Sequence, residues 1–143
     1  MKHKLIRKHT NEEFDCLNEI HDFIYLEESN MKDAGLGVFA LQDIPENIIL
    51  SWYKGPRVEK AIRTNYAWNF LCDITKRHVK IEAVISYEAN PLAFINSFIN
   101  KDQKKLLNIK KIVINGRLYY KTIKKILKDQ ELIVDYEAKT ISI

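Results

Sequence analysis

Apolar residues fall in short runs separated by polar turns, a pattern that predicts many short strands and little helix. Phe23, Ile24, Tyr25 and Leu26 form a run of strand length, ended by the polar stretch Glu28 to Asp33. Further strands are expected at about 37–40 and 47–53, with Pro45 in the loop between them, where a missing N–H costs nothing. Lys54, Gly55 and Pro56 read as a turn. Tyr66, Trp68, Phe70 and Leu71, then Val79 and Ile81, suggest two more short strands, with Val84 and Ile85 as a weaker continuation. Pro91 can open a short helix over 92–96. Ile109, Ile112, Val113 and Ile114 make a β-branched run, and Asn115-Gly116 is a hairpin signal before Arg117 to Lys121.

Two stretches carry helical spacing instead. Thr10 followed by Glu13 is a capping-box pattern, and Phe14, Leu17, Ile20 and His21 then recur at helical intervals, so a short amphipathic helix is expected at about 11–20. Ile123, Ile126 and Leu127 among lysines fit a basic helix. Together these elements make a β-rich α+β domain.

Composition sharpens the picture only in part. The chain has 143 residues, 46% hydrophobic and 10% aromatic, which is one globular domain. No apolar run reaches the length of a membrane span, and the start MKHKLIRKHTNEEF lacks a signal-peptide apolar region, so no membrane partner and a soluble, intracellular protein, cytoplasmic or nuclear, are expected. Cys16 and Cys72 are the only cysteines, which leaves no disulfide framework, no zinc spacing and no metal site. Either could pair with His21 or His78 as a nucleophile, but a lone cysteine is more often a small buried hydrophobe. The net charge is +4, and Lys101, Lys104, Lys105, Lys110, Lys111, Arg117, Lys121, Lys124, Lys125 and Lys128 face only Asp102 in the same stretch. Such a face could meet nucleic acid or steer an acidic partner. Tyr119 and Tyr120 are not interleaved with the basic residues, which weakens base stacking, and no direct nucleic-acid contact is expected.

Chemistry enters through three segments. Gly35 and Gly37 flank Leu36 and lead into Val38, Phe39 and Ala40; NPLAFINS follows at 90–97 and ELIVDYE at 131–137. In this order and separation they resemble the SET-domain protein lysine methyltransferases, over about residues 22–137, and the size is similar to the minimal single-domain members of viruses and bacteria. The resemblance implies a SET fold of several small twisted β-sheets, with the C-terminal segment tucked, pseudoknot-like, under a preceding loop beside Asn96. The implied organisation is an N-terminal helical extension over 1–21, the SET domain over 22–137 and a short tail over 138–143, and the resemblance favours a strand ending near 122 and then a connecting segment over the basic helix.

The same resemblance implies S-adenosylmethionine as cofactor. It lies against Lys32, Ala34, Gly35, Leu36 and Gly37, with Tyr53 in a tyrosine-x-glycine-like element and Phe94, Asn96 and Ser97 in the second motif. Tyr136 falls on the catalytic tyrosine, and Tyr66, Trp68, Phe94, Phe98 and Val134 are expected around the substrate lysine. The reaction needs an aligned, uncharged amine, because a lysine near its reference pKa of about 10.4 is almost wholly charged at neutral pH. An aromatic channel that strips its water lowers that pKa.

Three departures matter. Ser97 and Ile99 stand where the family has histidine and cysteine. Val134 stands where Phe or Tyr usually limits the methyl count, so a lysine already carrying methyl groups is expected to fit. No cysteine-rich lid follows Tyr136, so the helix at 11–20 or a second copy in a homodimer is expected to close the channel. The expected activity is methyl transfer to a protein lysine, a histone tail or other basic protein being the partner. The alternatives are a SET-fold binding module without catalysis and a small basic nucleic-acid-binding protein.

Overall fold

A computed structural model describes residues 3–7, 13–136 and 141–142. Its largest sheet has six strands in the order β1-β2-β5-β9-β8-β10: β1 His3–Arg7, β2 Glu13–Leu17, β5 Ile49–Trp52, β8 Ile109–Ile114, β9 Arg117–Thr122 and β10 Ile141–Ser142. Two hairpins complete the framework, β3 Ile24–Glu28 with β4 Leu36–Ala40, and β6 Ala67–Leu71 with β7 His78–Glu82. The helical elements among the described residues are short 3-10 turns at Ile20–Asp22, Thr64–Tyr66, Pro91–Phe94 and Lys101–Leu106. No helix among the described residues is long and apolar enough to cross a membrane. The β8–β9 hairpin turns at Asn115 and Gly116, both at positive φ (51° and 78°), as a two-residue primed turn requires.

The helix expected at 11–20, and with it a helical extension over 1–21, gives way to a strand. Thr10, half of the expected capping box, lies outside the described residues. Residues 13–17 form β2, which pairs antiparallel with β1 and parallel with β5 through Cys16 and Ile49. The spacing of Phe14, Leu17 and Ile20 suits a helix, but Phe14 and Cys16 also alternate around exposed Asp15. They pack on Ile49, Ile112 and Ile114 on one face of the sheet, while Leu17 and Ile20 enter the main core. A helix of ten residues is marginal on its own, and the open edge of β5 offers backbone partners. The 123–128 stretch follows the connecting reading and not the helical one: the strand stops at Thr122, and in the segment after it Ile126 exchanges backbone hydrogen bonds with Ile44. Residues 84–85 lie outside any strand.

The segment 130–136 is held on two sides. Ala40 and Leu132 donate to the carbonyls of Gln130 and Val38, a ladder with β4. Val134 donates to the Asn96 carbonyl, and Asn108 and Ile109 both donate to the Ile133 carbonyl. Asn108 closes the arrangement with its side chain, accepting from Ile133 N–H and donating to the Glu131 carbonyl. The chain end therefore passes beside the Asn96 motif, as the threaded topology requires.

Candidate active site

A cleft of about 560 Å³ opens where four separate segments meet: Ala34 and Leu36 before and at the start of β4, Thr64 to Trp68, Ala93 to Asn96, and Tyr136. Its size lies in the range of small-molecule sites.

Tyr136 sits at the junction. Its hydroxyl donates to the Ile95 carbonyl at 2.7 Å, its N–H donates to Ser97 Oγ at 3.3 Å, and its ring lies 5.5 Å from that of Trp68. Burial, reinforced by Tyr66 and by the Glu131 carboxylate, pushes the phenol up to about 12. It stays protonated at physiological pH; its proton is committed to Ile95, and the oxygen lone pairs remain to accept from an amine.

Behind Tyr136 stands an aromatic wall. Trp68 contacts Tyr53 edge-on at 6.2 Å, and Tyr53 stacks on Tyr120 at 5.6 Å. The Tyr53 hydroxyl donates to the Tyr66 carbonyl at 3.1 Å, fixing the Thr64–Tyr66 turn, and the indole Nε1 of Trp68 is buried with no hydrogen-bond partner among the described residues. Glu82 braces the same turn from outside: it accepts from the N–H groups of Ile62 and Arg63 and pairs with the Arg63 guanidinium at 3.1 Å. The Ile62 N–H, more than the guanidinium, holds its carboxyl below the usual range.

The Asn96 side chain donates to the Leu36 carbonyl at 2.9 Å and to Glu131 Oε2 at 3.4 Å. The carboxylate of Glu131 also accepts from Ser29 Oγ at 2.6 Å and Asn30 N–H at 2.8 Å. One buried acid thus locks the 29–36 loop, the Asn96 motif and the C-terminal segment together. It also explains Gly37. A Cβ there would collide with Glu131 Oε2 and crowd Ser29, so this glycine makes room for the acid. Gly35 differs: its φ is +73°, and nothing lies within 4 Å of where a Cβ would stand.

Of the residues singled out from sequence, Ala34, Leu36, Tyr66, Trp68, Phe94, Asn96 and Tyr136 line the cleft. Gly35 and exposed Lys32 lie on its loop, and Ser97 acts one step back, through the Tyr136 backbone. Gly37 and Tyr53 are buried behind the surface, Tyr53 in the wall against Trp68. Phe98 is half-buried outside the lining. Val134 is 1% exposed and belongs to the core, so it does not set the width of the cleft. Sequence reading missed Glu131 as a clamp, Tyr120 as part of the wall, and Lys111. The last had a signal: in IKKIVI, residue 111 shares a face with Ile109 and Val113, which both enter the main core.

The family profile of the PR domain of PR domain zinc finger protein 2 matches residues 24–142. The histone-lysine N-methyltransferase set-17 of Caenorhabditis elegans is 34% identical over 114 residues, 78% of this chain, which spans only 39% of that protein's length. Among solved structures, the methyltransferase domain of human PR domain-containing protein 2 superposes with a TM-score of 0.61 at 23% identity, over 81% of this chain and 78% of the other. The ATXR5 SET domain, solved in complex with a dimethylated histone H3, gives a TM-score of 0.61 at 19% identity, over 81% and 58%. At these identities the superpositions establish the fold.

Proposed function

The chain belongs to the PR/SET-domain family, and from that footing we propose that it transfers a methyl group from S-adenosylmethionine to the side-chain amine of a protein lysine. The observation that carries the reading is Tyr136, a protonated phenol with free lone pairs at the mouth of an aromatic wall and at the edge of a ligand-sized cleft. The related set-17 is named a histone-lysine N-methyltransferase and the ATXR5 structure holds a histone H3; a histone tail is accordingly the first substrate class to test.

The cleft residues fit the cofactor. Gly35 leaves open space beside a left-handed backbone, and the lining combines apolar Ala34, Leu36, Ala93 and Phe94 with two amides, Asn65 and Asn96. When bound, S-adenosylmethionine supplies a methyl group on a sulfonium, already an excellent leaving group. Asn96 is held by Leu36 and Glu131, so its orientation is set before anything binds. Trp68 and Tyr66 exclude water from the amine, which disfavours its charged form. The Tyr136 oxygen accepts from the amine and turns its lone pair toward the methyl group.

The substitution of Ser97 for histidine, which favours a binding module, is answered in part by the hydrogen bond from Tyr136 N–H to Ser97 Oγ. Incubation with labelled cofactor and purified histones, then a mixed protein extract, tests the proposal, and calorimetry with the cofactor separates enzyme from inert module. No transfer and no cofactor binding would end it. A second copy of the chain is the closure we propose for the lysine channel, and light scattering should then show a homodimer.

A further inference from the structure

Lys111 is a cation where an enzyme of this kind has most use for one. It projects from the inward face of β8, opposite Tyr120 of β9, and is 5% exposed. Its Nζ lies 3.8 Å from the centroid of the Trp68 ring and donates to the Tyr136 carbonyl at 3.2 Å. Both contacts are to residues that line the cleft. A lysine costs free energy to bury, and an apolar residue would satisfy an inward strand position more simply.

We propose that Lys111 sets the charge at the transfer centre: its ammonium, fixed on Trp68 and Tyr136, repels a second ammonium and so favours entry of the substrate lysine in its neutral, reactive form. This rests on the lysine-transfer reading above. Like charges sharing a site of low polarity drive one of them to its neutral state. Of the two lysines, Lys111 is the one with fixed partners. Trp68 presents its ring face, the Tyr136 carbonyl accepts, and Asp135 on the C-terminal segment favours the protonated form. Among the described residues, the remaining titratable neighbours of this wall are the phenols of Tyr53, Tyr66, Tyr120 and Tyr136, of which burial holds Tyr53, Tyr120 and Tyr136 protonated, and Glu131, whose carboxylate is spent on Ser29, Asn30 and Asn96. Burial draws Lys111 down to about 8, against the pull of Asp135, so at neutral pH it still carries its proton.

Two measurements on the full chain test this. The first is the pH dependence of kcat, at saturating histone, for methyl transfer by wild type, Lys111→Met and Lys111→Arg, because kcat reports ionisations in the bound complex. The expected result is an acid limb moved upward by about one pH unit or more in Lys111→Met and returned toward wild type in Lys111→Arg. An unmoved limb in Lys111→Met, or equal displacement in both variants, overturns the inference while leaving the transferase reading intact. A wild type that transfers no methyl group sinks that reading, and this inference with it. The second measurement needs no activity. With Trp52→Phe as background, the emission of Trp68 should titrate as Lys111 loses its proton, and Lys111→Met should abolish that titration. An emission flat through that range overturns the placement of the cation.

Discussion

The Tyr136 hydroxyl donates to the Ile95 carbonyl, a bond apart from the transfer role proposed for its lone pairs, and this separates the two roles. Replacing it by Phe removes the lone pairs that would receive the amine and should lower the rate of methyl transfer on the order of a hundredfold or more. The lost bond to Ile95 should cost only about 1 kcal/mol of stability. Cofactor affinity, read by calorimetry, should be nearly unchanged, since the ring remains. A Tyr136→Phe enzyme at the wild-type rate would remove this residue from the reaction. Gly37 calls for a different experiment, because its constraint comes from inside the protein. Gly37→Ala should destabilise the chain in urea melts, and the same change in a Glu131→Ala background should cost less. The coupling should be about 1 kcal/mol or more, incomplete because the Ser29 Cβ still stands 3.2 Å from the new methyl group. Strict additivity would mean that the acid is not what excludes a side chain.

Strands were legible where β-branched and aromatic runs lay between turn residues: the cores of β3, β4, β5, β6, β7 and β9, and all of β8 with its Asn115-Gly116 turn. Where the reading failed, at 11–20, two periodicities fitted the same few residues. Pairing with the edge of β5 is a tertiary event that local spacing does not encode. Loops joined by side chains were also invisible, and the 86–90 loop is one with a consequence. His21 has Glu19 Oε1 2.8 Å from Nδ1 and the Tyr87 carbonyl 2.8 Å from Nε2, and the Tyr87 ring packs edge-on against Phe94 of the cleft. Both acceptors are satisfied only by the doubly protonated ring. Burial alone would lower its pKa, but the Tyr87 carbonyl and Glu19 outweigh it and the value is raised above 6.5. The stabilisation from this contact is therefore complete below about 6.5 and is lost as pH rises through the folded-state value. Thermal melts should fall across that window in the wild type and lose this component of the slope in His21→Gln, with faster amide exchange at 86–90 as the wild-type ring deprotonates. Identical slopes in the two proteins would exclude the device.

At the scale of the whole molecule, the site exists only because segments far apart in sequence are laid side by side. The three motifs announced which segments would meet, since Leu36, Asn96 and Tyr136 do converge, and the family's topology accounts for how. They did not announce the supports. Glu131, Tyr120 and Lys111 act through a buried clamp and a packed wall, and a linear pattern gives each of them an ordinary place in a strand or loop. At the N-terminus the sequence suggested a lid where the fold has a support. Leu17 and Ile20 are buried at 3% and 6% exposure in the same core that carries Leu50, Tyr53 and Tyr120. Burying two such side chains is worth about 1.5–3 kcal/mol each, a large part of a typical margin of about 5–15 kcal/mol, and β5 would lose its neighbour as well. Deletion of residues 1–21 should thus lower the melting temperature steeply and abolish cofactor binding and methyl transfer together. A lid would behave otherwise: its removal would spare the cofactor and slow only the transfer to lysine. A truncated chain that melts cooperatively near the wild-type temperature and binds cofactor normally would show that β2 is an accessory and not part of the framework.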